Sequence, residues 1–173
     1  FGGIMDVPDA LGNTKSQGPG MGLAMSLQNK ESGELQRLQL NKSLKKGRLT
    51  ERSGEVVLSD NYATKLNISP GEKITFFGTT MEGSMVFQSF EMTGTVVFGS
   101  PLMDRGTFIL DISDAQTMLD MENGTGELLG YFKDNIYDDN KALIISENFN
   151  KKFKESKDEY APVMVTLKDQ NGL

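Results

Sequence analysis

The sequence predicts an α+β fold in which a mostly-β lobe stands beside a lobe of alternating strands and helices. The middle of the chain carries strand patterns separated by glycine-bearing turns, whereas its last third alternates strand and helix patterns. The length of 173 residues suits one domain or two small lobes that share a core.

The first 40 residues have a weak strand pattern and a strong loop pattern. Phe1–Val7 is typical of the end of a strand, and Pro8–Gly22, with its many glycines and prolines, predicts a long exposed loop. Met21–Leu27 alternates weakly and predicts a short strand. Leu35–Leu44 mixes helical and strand spacing, so that a short turn or a strand is expected there.

The middle of the chain has the sharpest signals. Glu55–Leu58 predicts a strand, and Ser59 or Asp60 is suited to cap a helix over Asn61–Leu66. Pro70 and Gly71 then predict a turn into a strand over Lys73–Phe77.

A hairpin follows from the same strand. The glycine-bearing segment Gly78–Ser84 predicts its tip, and Met85–Phe87 with Phe90–Phe98 predicts the antiparallel partner. Gly94, inside that partner strand, indicates a bulge or bend.

The last third is expected to alternate strands and helices. A capping box of Ser113 and Gln116 predicts the start of one helix there. The other predicted elements are strands over Thr107–Ile112, Leu128–Phe132 and Pro162–Leu167, and a helix over Leu143–Phe153.

Composition excludes several classes of function. Lys and Arg total 18 and Asp and Glu total 24, so the net charge of −6 argues against a nucleic-acid binder, which would carry a clustered basic face. With no Cys and no His, the chain has no thiol nucleophile, no Ser-His-Asp triad and no Cys/His zinc site. We expect no cofactor in this chain.

The remaining motifs are weak. Gly124–Gly130 approaches a dinucleotide fingerprint but lies between a helix and a strand, the reverse of the required order. Asp138-Asp139-Asn140 lacks the spacing of a calcium loop, so a solvated loop is the better interpretation. A site of carboxylates or a Ser/Lys pair stays open as an alternative without a supporting motif. Met-rich surfaces serve as adaptable partner sites, although core filling explains most methionines.

One stretch resembles a known family. Gly54–Ile74 has a Gly-Glu pair, three apolar residues, a short helix with Ala and Leu, and Gly-Glu before a strand. Leu44–Gly47, Phe90–Val96 and Phe108–Gln116 follow the same order of segments. This pattern resembles the MacB-like periplasmic core domain of ABC transporter permeases, the group that includes the lipoprotein-releasing (Lol) and FtsX-type permeases.

The resemblance implies a non-catalytic, extracytoplasmic domain in the periplasm, attached to the inner membrane. It implies a porter-like βαβ lobe over residues 1–11 and 103–173, and a mostly-β inserted lobe over 12–102. The parent transporter would supply flanking membrane helices, an ABC ATPase domain or subunit, and a second permease copy or paralogue. The chain opens on Phe1 and lacks the strand and helix with which the family's domain begins, so we expect a piece of a longer protein.

The resemblance also implies a partner site. Lol permeases recruit the lipoprotein chaperone through a hairpin in the β lobe, and the equivalent hairpin here is shorter and lacks prolines. We expect it to contact a periplasmic adaptor or a lipoprotein chaperone through these residues: Thr79, Thr80, Met81, Glu82, Gly83, Ser84 and Met85. The alternative is a secreted α+β enzyme or binding module.

Overall fold

The computed structural model describes residues 1–158 and 161–169. The chain divides into two compact units, Phe1–Gly126 and Glu127–Leu173. Among the described residues, the first unit contains seven strands and five short helices, and the second contains one longer helix.

The strands are β1 Gly2–Pro8, β2 Thr14–Met25, β3 Leu44–Gly47, β4 Glu55–Ser59, β5 Lys73–Thr79, β6 Met85–Val96 and β7 Thr107–Asp111. The helices are α1 Glu34–Arg37, α2 Leu40–Ser43, α3 Asp60–Leu66, α4 Pro101–Asp104, α5 Ile112–Met118 and α6 Asp139–Lys151.

The sheet of the first unit closes into a six-stranded barrel. Its strands follow one another in the order β6, β4, β7, β2, β1 and β5, and the pairing of β5 with β6 closes the ring. β2 with β7 and β4 with β6 are parallel pairs, and the other pairs are antiparallel. The seventh strand, β3, lies outside the ring and pairs with the end of β6.

The barrel interior is the main hydrophobic core. Alternate residues of the strands point inward, as Met5 and Val7 of β1 and Ile74 and Phe76 of β5 do, and all four are essentially inaccessible to solvent. α3 and α5 add apolar side chains to the same core. The Tyr62 hydroxyl of α3 donates to the Gly18 carbonyl at 2.8 Å, and burial raises the pKa of Tyr62.

A second, smaller core covers the outside of three central strands. Val57, Ile109 and Val96 point away from the barrel interior and pack with Leu27 and Leu40. β4 and β7 are therefore buried on both faces, which explains why their sequences are continuous apolar runs rather than alternating ones.

The predicted fold class is wrong. We expected a porter-like βαβ lobe beside a mostly-β lobe, but β1 and β7 are ring members of the same barrel as β2, β4, β5 and β6. The strand-helix alternation after residue 103 misled the prediction because β7 is the only strand in that part among the described residues, and its neighbours are earlier strands. The lobe boundaries that the resemblance implies stay a prediction.

The predicted loop over Pro8–Gly22 is also wrong, because most of it belongs to β2. Gly18, Gly20 and Gly22 occupy every second position and are buried on the inward face. A Cβ atom at Gly20 would come within 2.9 Å of Met5 Cγ and 3.1 Å of the Tyr62 hydroxyl. These glycines leave room for large neighbours, whereas glycine-rich composition alone suggests a loop.

Two further predicted strands do not form. Residues 128–132 and 162–167 are irregular, and neither segment pairs with a strand among the described residues. Alternating or continuous apolar residues therefore do not make a strand here without a sheet edge to receive it.

Most of the predicted elements between residues 54 and 119 are confirmed. Ser59 caps α3 by accepting the Tyr62 N–H, and an extra residue before Gly94 makes a bulge in the pairing of β4 with β6. The cap of α5 differs from the prediction, because Asp111 rather than Ser113 accepts the first free N–H.

The predicted last helix is confirmed as α6, which begins earlier than expected. The Asp138 side chain caps it by accepting the Lys141 N–H. Within this second unit, the Asn150 side-chain amide makes two hydrogen bonds to the backbone of Met164. It donates to the Met164 carbonyl at 2.9 Å and accepts the Met164 N–H at 2.8 Å.

Candidate functional site

The hairpin of β5 and β6 brings the predicted partner residues together. The two strands pair without interruption from Lys73 and Glu91 to Thr79 and Met85. At the tip, the Thr80 N–H donates to the Ser84 carbonyl at 2.8 Å, and the Ser84 N–H donates to the Thr80 hydroxyl at 3.1 Å. The residues Thr79–Met85 thus form one compact turn.

The apolar side chains of this hairpin are unusually exposed. Met81 is 68% exposed, Met85 is 74% exposed, and Phe87, one step further along β6, is 59% exposed. The Phe87 ring packs edge-on against Phe77 of β5, with 5.2 Å between the ring centres. Solvent-exposed apolar groups on a protruding turn are typical of an interaction site.

The exposed patch extends from the hairpin across the outside of the barrel. Strand register aligns Pro19 of β2, Ile4 of β1, Phe77 of β5 and Phe87 of β6 in one row on the same face. Ile4 is 41% exposed. Sequence reasoning missed Ile4, Phe77 and Phe87, because only the strand register shows that they share a face.

The hairpin tip is held to the rest of the barrel unit by one backbone contact. The Met81 N–H donates to the Leu119 carbonyl, just after α5, at 3.1 Å. Val86 packs against the barrel core, while its neighbours Met85 and Phe87 face outward. The exposed methionines therefore stand on a positioned turn.

The most buried carboxylate, Glu55, is occupied by structural contacts. Arg48 donates two hydrogen bonds to it, at 2.7 and 2.5 Å, and Arg52 donates one at 2.7 Å. The hydrogen bonds from Arg48 outweigh burial and lower the pKa of Glu55 to about 2. Such a carboxylate stays charged and is not available as a general acid or base near neutral pH.

Asp60 is occupied in the same way. Its carboxylate lies 2.7 Å from the Lys45 ammonium and 3.1 Å from that of Lys46, and it accepts the Thr95 hydroxyl at 3.0 Å. The Lys45 contact is the main reason that the pKa of Asp60 is lowered to about 2. Both lysines neutralise this carboxylate.

Ser59 and Ser113, which the sequence predicts as helix caps, also have structural partners. Ser59 donates to the Asp104 carbonyl at 2.9 Å, and Ser113 donates to the Asp111 carboxylate at 2.6 Å. Asp111 in turn accepts the backbone N–H groups of Leu27 and Gln28. Burial favours the neutral form of Asp111, but these hydrogen bonds together lower its pKa.

Neither a cluster of metal ligands nor a membrane-spanning helix is found in the described residues. No group of three or more acidic side chains there is placed to hold a metal ion. No helix of the described part of the chain has the length and apolar character needed to cross a membrane. Of the two acidic residues considered for calcium, Asp138 instead caps α6, and Asp139 lies 3.2 Å from the Lys168 ammonium.

One described cavity lies in the second unit and has a volume of about 490 Å³. It is lined by Glu147, Asn150, Lys151, Phe153, Lys154, Ala161, Pro162 and Val163. Among the described residues of this lining, Glu147 is the one carboxylate.

The comparisons with known proteins do not assign a family. Scanned against protein-family models, the chain matches none, and a search of curated proteins likewise returns no match. The candidate site therefore rests on the geometry and exposure of the hairpin.

Proposed function

We propose that this chain is an extracytoplasmic, periplasmic domain of an ABC transporter permease that carries no chemistry of its own. An ABC ATPase domain or subunit would supply the energy, and a second permease copy or paralogue would complete the transporter. The domain would pass ATP-driven motion to the export or release of a substrate on the outer side of the inner membrane.

The observation that carries this proposal is the exposed hairpin tip with Met81 and Met85. The order of segments in the chain also supports the proposal. Gly54–Ile74 folds as a strand, a capped helix, a turn and a strand, which is the order on which the resemblance is based. The buried carboxylates are paired with arginine or lysine side chains or with backbone N–H groups. This pairing suits a domain that transmits movement better than it suits an active site.

A rigid barrel suits transmission of movement. Its strands form a closed, hydrogen-bonded ring. We therefore expect a displacement on one side of the barrel to reach the hairpin through the hydrogen bonds between strands. The hairpin tip would contact a periplasmic adaptor or a lipoprotein chaperone through the residues Thr79–Met85.

The parent gene provides the first test. The proposal expects apolar spans of about 20 residues near both ends of this segment in the full-length protein. A parent protein without such spans would overturn it.

The intact permease provides the second test. A photoreactive residue at Met81 or Met85, activated in membranes, should crosslink to an adaptor or to a lipoprotein chaperone, and the same residue at Lys65 should not. Equal crosslinking from both positions would remove the hairpin from the proposal.

A further inference from the structure

A row of polar residues lies beside the exposed apolar row on the outside of the barrel. The apolar row consists of Pro19, Ile4, Phe77 and Phe87. Strand register aligns Asp6 of β1 with Gln17 of β2 and with Thr75 of β5. Each of these three residues is two positions along its strand from a member of the apolar row, so it points to the same side of the sheet. The two rows therefore adjoin on one face, with Asp6 next to Ile4.

One oxygen of the Asp6 carboxylate has no partner in the described part of the chain. Asp6 is only 8% exposed, and its Oδ1 atom is buried and accepts no hydrogen bond there. Polar groups of the same strands are engaged elsewhere. The Thr75 hydroxyl lies 3.0 Å from the Ser89 hydroxyl, and the Lys15 ammonium lies 3.6 Å from Glu72. Because an unpaired carboxylate oxygen withdrawn from water is unfavourable, this position favours a hydrogen-bond donor from outside the chain.

The face around Asp6 is open to solvent. Ile4, two residues before Asp6, is 41% exposed, and Gln17, which pairs with Asp6 across the strands, is also exposed. A described segment that lay over Asp6 would cover these longer side chains as well. We therefore attribute the burial of Asp6 to its short side chain, which lies lower than its neighbours and forms the floor of a shallow depression.

The apolar row gives a second reason to expect a partner on this face. Apolar side chains that adjoin in an exposed row mark an interaction surface, whereas single exposed ones do not. A small cation would satisfy Asp6 but would leave Ile4 and Phe87 in water. A polypeptide satisfies both rows when its cation and its apolar side chain are about 7 Å apart, which is the spacing of alternate residues in an extended strand.

We infer that this face binds a partner polypeptide that places an arginine or lysine on Asp6 and an apolar side chain on Ile4 and Phe77. An ionised carboxylate accepts hydrogen bonds and donates none, so its partner has to be a donor, and a positively charged donor makes the stronger bond. The net charge of −6 on the chain also attracts a basic segment. This face is separate from the turn Thr79–Met85, and the inference does not depend on the permease proposal.

The stability of two aspartate variants tests whether Asp6 lacks a partner within the chain. Asp6→Asn should leave the midpoint of thermal unfolding within about 2 °C of the original value or raise it, because it removes a buried charge that no cation balances. Asp60→Asn is the matched control. It should lower the midpoint by about 3 °C or more, because the Asp60 carboxylate lies 2.7 Å from the Lys45 ammonium. An equal loss in both variants would overturn the inference.

Peptide selection tests the occupant. A phage-displayed library of short linear peptides, panned on the whole chain, should enrich sequences with an arginine or lysine two residues from an apolar residue. A synthetic peptide of this kind should bind the Asp6→Asn variant about tenfold more weakly than the original chain. Glu31→Gln, which removes the same charge from an exposed position, should bind it within about twofold of the original chain. Failure to enrich such peptides, or equal binding by the Asp6→Asn variant, would contradict the inference.

A change in the peptide repeats this test without altering the chain. Citrulline has the shape of arginine but no charge, so its substitution for the arginine should weaken binding about tenfold. Ile4→Ser should weaken binding of the unchanged peptide about threefold or more, because it removes the apolar contact. Equal binding of the arginine and citrulline peptides would overturn the assignment of Asp6 as the site of a cation.

A second copy of the chain is the other candidate occupant of this face. Sedimentation velocity should give a monomer at every concentration for the original chain and for Asp6→Asn. A dimer of the original chain that Asp6→Asn dissociates would mean that a second copy occupies the face, and it would overturn the inference of a separate partner. The permease proposal would stand in each case, because it depends on the flanking spans.

Discussion

The two units of this chain differ in how far their apolar side chains are buried. In Phe1–Gly126 the strands and two helices enclose Met5, Tyr62, Phe76 and Phe108 so fully that none is exposed to solvent. In the described residues from Glu127 onward no large apolar side chain is fully buried. The first unit therefore has its own hydrophobic core, whereas the described residues of the second unit form none of comparable depth.

The exposed apolar residues of the second unit are numerous. They are Leu128, Leu129, Tyr131, Ile136, Tyr137, Leu143, Ile144, Ile145, Val163, Val165 and Leu167. Two kinds of contact order this unit locally. They are the pair of hydrogen bonds between Asn150 and Met164 and the ring contact of Phe149 with Phe153, with 5.2 Å between the ring centres. Such contacts contribute less than a closed hydrophobic core.

The largest expected effect is on the barrel core. Phe76→Ala should lower the free energy of unfolding by about 3–5 kcal/mol, because it leaves a cavity among fully buried neighbours. Ile144→Ala, in the exposed part of α6, should change it by less than about 0.5 kcal/mol. Urea unfolding of both variants measures this contrast, and similar losses would break the comparison between the units.

The next effect is the pH dependence that Glu55 gives to the barrel. Its folded pKa of about 2 lies below the ordinary value of 4.5, so its contribution to stability is present above pH 4.5 and is lost as the pH falls towards 2. The difference in pKa corresponds to about 3 kcal/mol. Glu55→Gln should therefore destabilise the protein by about this amount at pH 7 and by much less near pH 2.

Glu51→Gln is the matched control for this prediction. Glu51 is 74% exposed and lies 3.9 Å from Arg48, so its replacement should leave the unfolding free energy nearly unchanged at every pH. Denaturant titrations at several pH values check both variants. A Glu55→Gln effect that stays constant from pH 7 to pH 2 would contradict the assigned pKa.

A smaller effect is expected at the inward glycines of β2. Gly20→Ala should cost about 1–3 kcal/mol, because the added Cβ would lie 2.9 Å from Met5 Cγ inside a packed core. Gly2→Ala is the control, since the nearest atom to its Cβ would be the Gly20 carbonyl oxygen at 3.8 Å. Thermal unfolding distinguishes them, and equal losses would mean that β2 is not packed as described.

The smallest stability effect belongs to the hairpin tip. Met81→Ser should change the free energy of unfolding by less than about 0.5 kcal/mol, because the side chain is 68% exposed. If the proposed function holds, the same variant should weaken crosslinking of the hairpin to its partner. Thermal unfolding measures the stability of this variant. A large loss would show that Met81 supports the fold rather than a contact with a partner.

Local signals in the sequence predicted the middle of the barrel well. The strand predicted over Glu55–Leu58, the cap at Ser59, the turn at Pro70 and Gly71 and the hairpin all depend on neighbouring residues. All four are confirmed, and the strand extends to Ser59. The closure of the barrel could not be predicted, because the parallel pairings of β2 with β7 and of β4 with β6 join distant segments.

The candidate site was predicted in part for the same reason. Met81 and Met85 lie in a local turn that the sequence indicates, and the structure places them together. Ile4 and Phe77 join the exposed patch only through strand register, which a single sequence does not reveal. The alternating glycines at 18, 20 and 22 were the available sign of β2, since their spacing has the period of a strand.

The self-sufficiency of the barrel is the central claim, and removal of the second unit tests it directly. A chain of residues 1–126 should unfold cooperatively, with a midpoint within about 5 °C of that of the whole chain, because the buried core is retained. Amide exchange should still show protected barrel strands. A truncated chain that is unfolded at 25 °C, or that melts without a cooperative transition, would contradict the account.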